Sequence, residues 1–171
     1  MADDARGAPL PWIVHWAGLV PPGATVLDLA AGRGRHALFF AERGYRVVAV
    51  DRDTSRLPSH PNIEPLIAEL EDGSPWPLSR RFGAAVVTNY LHRPLLPALL
   101  DTIEPGGVLL YQTFMEGNER FGKPNRPDHL LKDGELLERV RGKFSVTAYE
   151  ARLISDPMAM VQRIAARKLS P

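Results

Sequence analysis

A glycine pair and a following acid in the first third of the chain have the types and spacing that nucleoside binding requires. Gly32-Arg33-Gly34-Arg35-His36-Ala37 fits the pattern G-x-G-x-x-A, and Asp51 lies about 20 residues further on. Glycine permits a positive φ and lets the backbone approach a ligand closely. A carboxylate at the end of the next strand can accept both hydroxyls of a ribose. The pattern therefore predicts a nucleoside site built on Gly32, Gly34 and Asp51.

A second acid, Asp28, lies in the apolar stretch just ahead of the glycines. A dinucleotide would present its pyrophosphate to the helix that follows the turn, and a nearby carboxylate would repel it. S-adenosylmethionine instead carries a sulfonium and an ammonium and has no phosphate, so an acid here suits that cofactor. Asp28 can also accept hydrogen bonds from the amides of the turn, and both roles are compatible with one position. The charge of Asp28 favours S-adenosylmethionine over a nicotinamide cofactor.

Alternating strand and helix patterns place these residues at one edge of a sheet. We predict strands over 24–30, 45–50, 63–70, 82–89 and 108–114, and helices over 9–20, 35–43 and 94–103. A further helix is predicted from an Asp133 cap to Arg141, and two alternating segments, 144–153 and 158–169, flank a turn. This order predicts an α/β fold: a Rossmann-like, open, mostly parallel seven-stranded sheet with helices on both faces and a C-terminal antiparallel hairpin. Ligands of such sheets bind at the carboxyl ends of the strands.

The length of 171 residues predicts one domain spanning residues 1–171. We divide it into a disordered tail (1–8), a lid helix (9–20), a cofactor-binding core (24–114), a substrate loop (115–132) and the terminal hairpin (143–169). An apolar content of 44% and a charged content of 24% are those of a globular protein with a packed core.

Charge and composition restrict the class of partner. The formal net charge is +1, which argues against nucleic acid, because phosphate binding needs an excess of cations. The chain has no cysteine, so disulfides, thiolate catalysis and zinc–thiolate sites are excluded. No apolar run reaches the roughly 18–20 residues that span a bilayer. We expect a soluble, cytoplasmic protein without a membrane partner; the sequence says nothing about its oligomeric state.

Five segments together resemble the class I S-adenosylmethionine-dependent methyltransferases, and in particular the small tellurite-resistance and thiol methyltransferases. The segments are Val26–His36, Val47–Asp53, Glu69–Glu71, Val86–His92 and Pro105–Leu110. They lie between residues 24 and 114 in the order and spacing of that family. The resemblance implies an enzyme that binds S-adenosyl-L-methionine and transfers its methyl group to an acceptor.

The resemblance also implies roles for individual residues. The backbone of Ala30 with Gly32 and Gly34 would line the methionine moiety, and Asp51, followed by Arg52, would hold the ribose. Glu69 or Glu71 would flank the adenine, with the backbone amide of Leu70 between them. The family more often has aspartate where Glu69 stands, so the choice between the two acids stays open, and a solvated surface charge is an equal alternative for Glu71. Asn89 and Tyr90 would face the methyl group and the acceptor.

Methyl transfer is an in-line displacement at a carbon already activated by the sulfonium, so the protein mainly supplies alignment and excludes water. A general base is needed only if the nucleophile arrives protonated. Tyr90 and His92 are the candidate catalytic residues, although His92 can equally be a surface residue. His36 is expected to orient the glycine turn, while His15, with Trp12 and Trp16, would lie in the lid helix or in the core.

The loop after the fifth strand is the candidate acceptor site. Its cations Arg120, Lys123 and Arg126 could hold an anionic acceptor above a base formed by Tyr111, Gln112 and Phe114. A solvated, proline-stiffened loop is the alternative. The leading interpretation is methyl transfer to a small molecule. We also consider an RNA or protein acceptor, an NAD(P)-binding Rossmann oxidoreductase, and a domain that binds the cofactor without catalysis.

Overall fold

The computed structural model describes residues 7–171. Most of the tail predicted over residues 1–8 lies outside the described residues; Gly7 and Ala8 are exposed. None of the helices within residues 7–171 combines the length and apolarity needed to cross a membrane.

A seven-stranded sheet forms the centre of the molecule, in the order β3-β2-β1-β4-β5-β7-β6. The strands are β1 (Thr25–Leu29), β2 (Arg46–Asp51), β3 (Ile63–Ile67), β4 (Phe82–Thr88), β5 (Ile103–Phe114), β6 (Phe144–Ser155) and β7 (Met158–Lys168). The first five strands pair in parallel, and β7 pairs antiparallel with both β5 and β6. The predicted fold class, including the terminal hairpin, is confirmed.

Short helices cover the sheet and owe their stability to packing. They are α1 (Pro11–Trp16), α2 (Arg35–Ala41), α3 (Leu96–Thr102) and α4 (Glu135–Val140), with 3₁₀ turns at Ala17–Leu19, Arg93–Leu95, Asn118–Arg120 and Pro127–His129. Each α-helix has only six or seven residues. Isolated helices of that length are unstable in water, so these helices form because they bury apolar faces on the sheet.

Two buried clusters lie on opposite faces of the sheet. In β1, Val26 belongs to the cluster under α1 and α2, whereas Leu27 and Leu29 belong to the cluster under α3 and α4. Alternate residues of a strand point to opposite faces, so these three side chains divide between the two clusters. Burial on both faces explains why the central strands are continuous apolar runs.

The helix α1 is anchored in the core by Trp12. The Trp12 Nε1 donates a hydrogen bond to the Ile164 carbonyl (3.2 Å), and the Arg163 guanidinium lies over the indole ring at 4.7 Å. Trp16 is partly buried in the same cluster, and the ring of His15 meets it edge to face. The packing of both tryptophans agrees with their core interpretation, and the covering role of residues 9–20 stays a prediction.

The start of α4 corrects one prediction. The helix begins after Gly134, which has φ +70°, and Asp133 makes no capping hydrogen bond. Instead, the buried Gln162 of β7 accepts a hydrogen bond from the Leu136 amide (2.7 Å) and donates one to the Lys132 carbonyl (3.0 Å). A distant side chain therefore satisfies an amide that a local cap would otherwise bind.

Candidate functional site

The carboxyl ends of β1 to β4 surround a cavity of about 370 Å³, which we call the first cavity. The cavity lies where β1 is flanked by β2 on one side and β4 on the other, the switch point at which open α/β sheets bind ligands. It is lined by Ala30, Gly32, Asp51, Arg52, Arg56, residues 68–71 and Tyr90. Eight of the residues predicted for the cofactor and catalysis are thus brought together: Ala30, Gly32, Asp51, Arg52, Glu69, Leu70, Glu71 and Tyr90.

The turn after β1 is left-handed at three residues. Ala30, Gly32 and Gly34 have φ of 56°, 58° and 74°. Gly32 lines the first cavity, and a Cβ built on it would meet no atom within 4 Å. Gly34 is not part of the lining: a Cβ there would lie 2.6 Å from Pro58 Cδ and 2.9 Å from Leu57 Cδ2. Gly34 therefore permits close packing of the segment after β2, and its contact with a cofactor stays a prediction.

Alanine at these two glycines should have different effects. Gly34→Ala is expected to lower the free energy of unfolding by about 2–4 kcal/mol, because it adds a clash to a strained φ. Gly32→Ala is expected to cost about 1–2 kcal/mol in backbone strain and to weaken binding of S-adenosylhomocysteine, the demethylated cofactor, because its methyl enters the cavity. Urea unfolding and calorimetric titration measure the two effects. Equal stability of the two variants, or unchanged binding by Gly32→Ala, would contradict these assignments.

Asp51 joins the ends of β1 and β2. Its Oδ2 accepts a hydrogen bond from the Gly32 amide (2.8 Å), and its Oδ1 accepts one from the Asp53 amide (3.1 Å). A carboxylate offers about four lone-pair sites, so Asp51 can hold the turn and still accept hydroxyl hydrogen bonds from a ligand in the cavity. The sequence predicted the ligand contact but not the bond to Gly32.

Asp28 lies in β1 with only 2% of its surface exposed, and it is not part of the cavity lining. Its Oδ2 is buried without a hydrogen-bond partner within the described residues. Burial raises the pKa of Asp28 to about 7, against the opposing effects of the Ala37 amide and of Arg35, while the charge of Asp51 raises it further. Two carboxyls thus approach one another at the glycine turn. Such a site disfavours a pyrophosphate and fits a cation.

His36, the second residue of α2, is buried and neutral. Its Nε2 accepts a hydrogen bond from the Leu10 amide (3.0 Å), and its Nδ1 lies 3.3 Å from Thr88 Oγ1 at the end of β4. Because Nε2 is an acceptor, Nδ1 carries the proton and donates to Thr88. Burial and, secondarily, Arg35 lower the pKa of His36 to about 3. His36 therefore connects the segment before α1 to the end of β4, a wider positioning role than the sequence predicted.

Two tyrosines shape the β4 side of the first cavity. Tyr111, predicted to bind the acceptor, is buried, and its hydroxyl donates to the Tyr90 carbonyl (2.7 Å). Tyr90 lines the cavity, and its buried hydroxyl has no hydrogen-bond partner within the described residues. Burial and the nearby Glu71 raise the pKa of Tyr90 above its ordinary value. Tyr90 is a protonated phenol at neutral pH and can donate a hydrogen bond, but it cannot act as a general base. Asn89 beside it is exposed and has φ 52°.

The acids after β3 differ in their surroundings. The Glu69 Oε1 accepts a hydrogen bond from the Glu71 amide (3.3 Å), so Glu69 stabilises the turn that carries Leu70. Glu71 also lines a second cavity of about 370 Å³. The second cavity is formed by Glu71, residues 91–94, Arg126, Asp128 and His129. It brings together His92, a candidate catalytic residue, and Arg126, a candidate acceptor ligand, whose roles stay predictions, and it adds His129 and Arg93, which were not candidates from the sequence.

The remaining loop cations lie outside both cavities. Arg120, predicted to bind the acceptor, donates to the Gly117 carbonyl (3.2 Å), and its guanidinium lies over Phe121 at 5.5 Å. Lys123 is exposed. The buried Asn118 fixes the loop through hydrogen bonds to the Pro124 carbonyl (2.9 Å) and the Met160 amide (3.1 Å). The loop is therefore ordered by its own contacts, and acceptor binding by Arg120 stays a prediction.

Arg93 fixes the part of the loop that lines the second cavity. It donates to both oxygens of Glu135 (2.8 Å each) and to the carbonyls of Asp128 (3.1 Å) and Leu130 (2.8 Å). Glu135 also accepts the Lys132 amide (2.9 Å). These bonds hold the pKa of Glu135 at about 2, against the effect of burial. The walls of the second cavity are therefore set before any ligand binds.

Comparison with known proteins finds methyltransferases. No protein-family model matches the chain. The trans-aconitate 2-methyltransferase of Azoarcus sp. (strain BH72) is 39% identical over 98 residues, which cover 52% of this chain and 38% of that protein. The aligned part thus spans about two fifths of the relative's length.

Solved structures match the whole fold. TehB from Haemophilus influenzae superposes with a TM-score of 0.71 at 18% identity, covering 91% of this chain and 61% of that one. The 1,6-didemethyltoxoflavin-N1-methyltransferase of Burkholderia thailandensis, solved with its substrate and S-adenosylhomocysteine, gives 0.64 at 20% identity, covering 94% and 77%. The chain has the Rossmann-like fold of the class I methyltransferases.

Proposed function

We propose that this protein is an enzyme of one domain that transfers a methyl group from S-adenosylmethionine to a small-molecule acceptor by in-line displacement. One observation carries the proposal. The glycine turn of a nucleotide-binding sheet lies beside two carboxyls, Asp28 and Asp51, and one oxygen of Asp28 is buried without a partner. A cationic cofactor compensates that charge, whereas the pyrophosphate of NAD would be repelled by it.

The lining of the first cavity fits this cofactor. Asp51 would accept the ribose hydroxyls, while Ala30 and Gly32 would approach the methionine moiety. The Leu70 amide and the acids beside it would face the adenine. Similar proteins support the choice: one is a trans-aconitate 2-methyltransferase, and another was solved with S-adenosylhomocysteine and 1,6-didemethyltoxoflavin. A chain without cysteine also fits a reducing cytoplasm.

When bound, S-adenosylmethionine would supply a methyl group on a sulfonium, and an electron pair of the acceptor would take that methyl group in line with the carbon–sulfur bond that breaks, leaving S-adenosylhomocysteine. The protein's own residues orient the reactants and exclude water. Tyr90 offers a hydrogen-bond donor at the edge of the cofactor cavity. His92 lines the adjoining cavity and can accept a proton if the nucleophile arrives protonated.

The proposal is tested by calorimetric titration with S-adenosylhomocysteine and with NAD. S-adenosylhomocysteine is expected to bind, and NAD is not. Asp51→Ala should weaken S-adenosylhomocysteine binding by about tenfold or more, because charge-assisted hydrogen bonds to the ribose are lost. Asp101→Ala, at an exposed acid of α3 outside the cavity lining, is the control and should leave the affinity unchanged. Tight NAD binding would instead support an oxidoreductase, and unchanged affinity in Asp51→Ala would refute the ribose role.

A further inference from the structure

The second cavity adjoins the first cavity, in which the cofactor is proposed to bind, and Glu71 belongs to the lining of both. Its volume of about 370 Å³ lies within the range of small-molecule sites. The residues that follow β4 form one wall and Arg126, Asp128 and His129 form the other. The two cavities share Glu71, so an acceptor bound in the second cavity would lie next to a cofactor bound in the first.

The two arginines of the second cavity differ in how many hydrogen bonds they already make. The Arg93 guanidinium donates hydrogen bonds to Glu135 and to two backbone carbonyls. Within residues 7–171 the Arg126 guanidinium forms an ion pair with Asp128 alone, at 3.8 Å, and the two side chains are 72% and 82% exposed. Exposed pairs of this kind contribute little, so Arg126 can turn its planar set of donors to a ligand. Guanidinium groups bind carboxylates through paired hydrogen bonds.

Two imidazoles add donors to the same cavity. His92 and His129 line it from opposite walls, and neither ring makes a hydrogen bond within residues 7–171. The hydrogen bonds of Arg93 to the carbonyls of Asp128 and Leu130 fix the backbone on both sides of His129. The position of His129 is therefore set in the free protein, which lowers the entropic cost of binding a ligand.

The charged side chains of the second cavity stand at its two ends. Glu71 lies at the boundary with the first cavity, whereas Arg126 and Asp128 lie on the loop wall beside His129. Glu71 repels an acceptor carboxylate, and at the loop end the carboxylate can replace the exposed, weakly paired Asp128 as the partner of the Arg126 guanidinium. The apolar wall of Leu91 and Pro94 suits a small hydrocarbon or ring between the two ends. The opposite end of the acceptor then points to the cofactor.

We propose that the second cavity binds a small carboxylic acid, whose carboxylate is held by Arg126 and His129 and whose methylated group lies at the other end. This rests on the proposed function and specifies the acceptor. The carboxylate is a binding group, so the nucleophile is a separate hydroxyl, amine or ring nitrogen near Glu71 and Tyr90. His92, on the β4 wall, is the group in reach to take the proton of such a nucleophile.

The test compares acids with their amides in protein saturated with S-adenosylhomocysteine. Three pairs serve as probes: 4-hydroxybenzoate and 4-hydroxybenzamide, nicotinate and nicotinamide, and indole-3-acetate and indole-3-acetamide. Calorimetry should show at least one acid binding about tenfold tighter than its amide. In Arg126→Gln and in His129→Asn that preference should fall below about threefold. Arg152→Gln, which removes the same charge from an exposed site on β6, should keep it.

Two results would overturn the assignment: no acid that binds better than its amide, or a preference that survives in both Arg126→Gln and His129→Asn. Thermal unfolding of each variant establishes that it is folded. Failure of the proposed function is recognised separately, since it appears as absence of S-adenosylhomocysteine binding in the first titration. Binding of S-adenosylhomocysteine without acid preference refutes the carboxylate site alone.

Discussion

Asp28→Asn is expected to stabilise the ligand-free protein at pH 8 and, at the same time, to weaken cofactor binding. The pKa of Asp28 is raised from 3.8 to about 7 in the folded state by burial. The folded protein therefore holds a proton on Asp28 between about pH 4 and pH 7, where the unfolded chain has released it. Ionisation of Asp28 thus costs folding free energy as pH rises through this window, up to about 4 kcal/mol above pH 7. Asparagine avoids that cost.

Urea unfolding between pH 4 and pH 8 measures this effect. The stability of Asp28→Asn relative to the unmodified protein should rise with pH between pH 4 and 7 and level off above. Asp101→Asn, an exposed acid of α3, is the control and should show no such trend. A variant less stable than the unmodified protein at pH 8 would mean that Asp28 is paired in the folded state, contrary to its unpartnered oxygen.

The same substitution tests the cation of the cofactor. Binding of a cation restores the charged form of Asp28, so affinity of the unmodified protein for S-adenosylmethionine should fall up to about tenfold per pH unit below pH 7. In Asp28→Asn the pH dependence should disappear, and the affinity at pH 8 should be about 10–100-fold lower. Calorimetry in buffers of different ionisation enthalpy should detect proton release at pH 7 only with Asp28 present. Proton uptake on binding would contradict this account.

The parts of the fold that follow from local signals could be predicted from the sequence. The apolar runs and glycine stops located the strands, and the acid at the end of β2 located one wall of the first cavity. The lining of the first cavity includes Ala30, Gly32 and Asp51 because the carboxyl ends of adjacent parallel strands must meet. These predictions depended on residues close together in sequence or on a rule of topology.

Side-chain direction within the central strands could not be predicted in the same way. Tyr111 was expected at the base of a pocket, yet it is buried, and its hydroxyl donates a hydrogen bond to the Tyr90 carbonyl. In a strand covered on both faces, alternation carries no polar face that marks the ligand side. Contacts between segments far apart in the sequence could not be predicted either: His36 and Thr88 are 52 positions apart, and Arg93 and Glu135 are 42 positions apart.

Loss of the Arg93–Glu135 pair is expected to destabilise the protein strongly. Glu135 is only 9% exposed in its side chain and Arg93 28%. Arg93→Met leaves a buried carboxylate with fewer donors, and we expect a loss of about 2–4 kcal/mol of unfolding free energy at pH 7. Chemical denaturation measures this loss. Arg141→Met, which breaks the exposed pair with Glu138 on the same helix, should cost less than about 1 kcal/mol.

The pH dependence of this pair has the opposite sign to that of Asp28. The pKa of Glu135 is lowered from 4.5 to about 2, so its charged form stabilises the fold above pH 4.5, and that stabilisation is lost as pH falls through about 2. Glu135→Gln should therefore be less stable than the unmodified protein at pH 7 and nearly equal to it at pH 2. Arg93 positions the loop around His129, and Glu135 holds Arg93 in place. Arg93→Met and Glu135→Gln should therefore both lose affinity for an acid in the second cavity. They should keep their affinity for S-adenosylhomocysteine in the first.

A double-mutant cycle separates the pair from its surroundings. Arg93→Met combined with Glu135→Gln should be less destabilised than the sum of the single variants, with a coupling energy of about 1–3 kcal/mol. The reason is that the second substitution removes the buried charge that the first leaves with only Arg139 and the Lys132 amide as donors. Additive effects would mean that Arg93 acts through the carbonyls of Asp128 and Leu130 alone. If Arg93→Met weakened S-adenosylhomocysteine binding as much as acid binding, the two cavities would not be built independently. Within residues 7–171 the Arg93 side chain donates to Glu135 and to the loop carbonyls of Asp128 and Leu130, and these residues lie outside the lining of the first cavity.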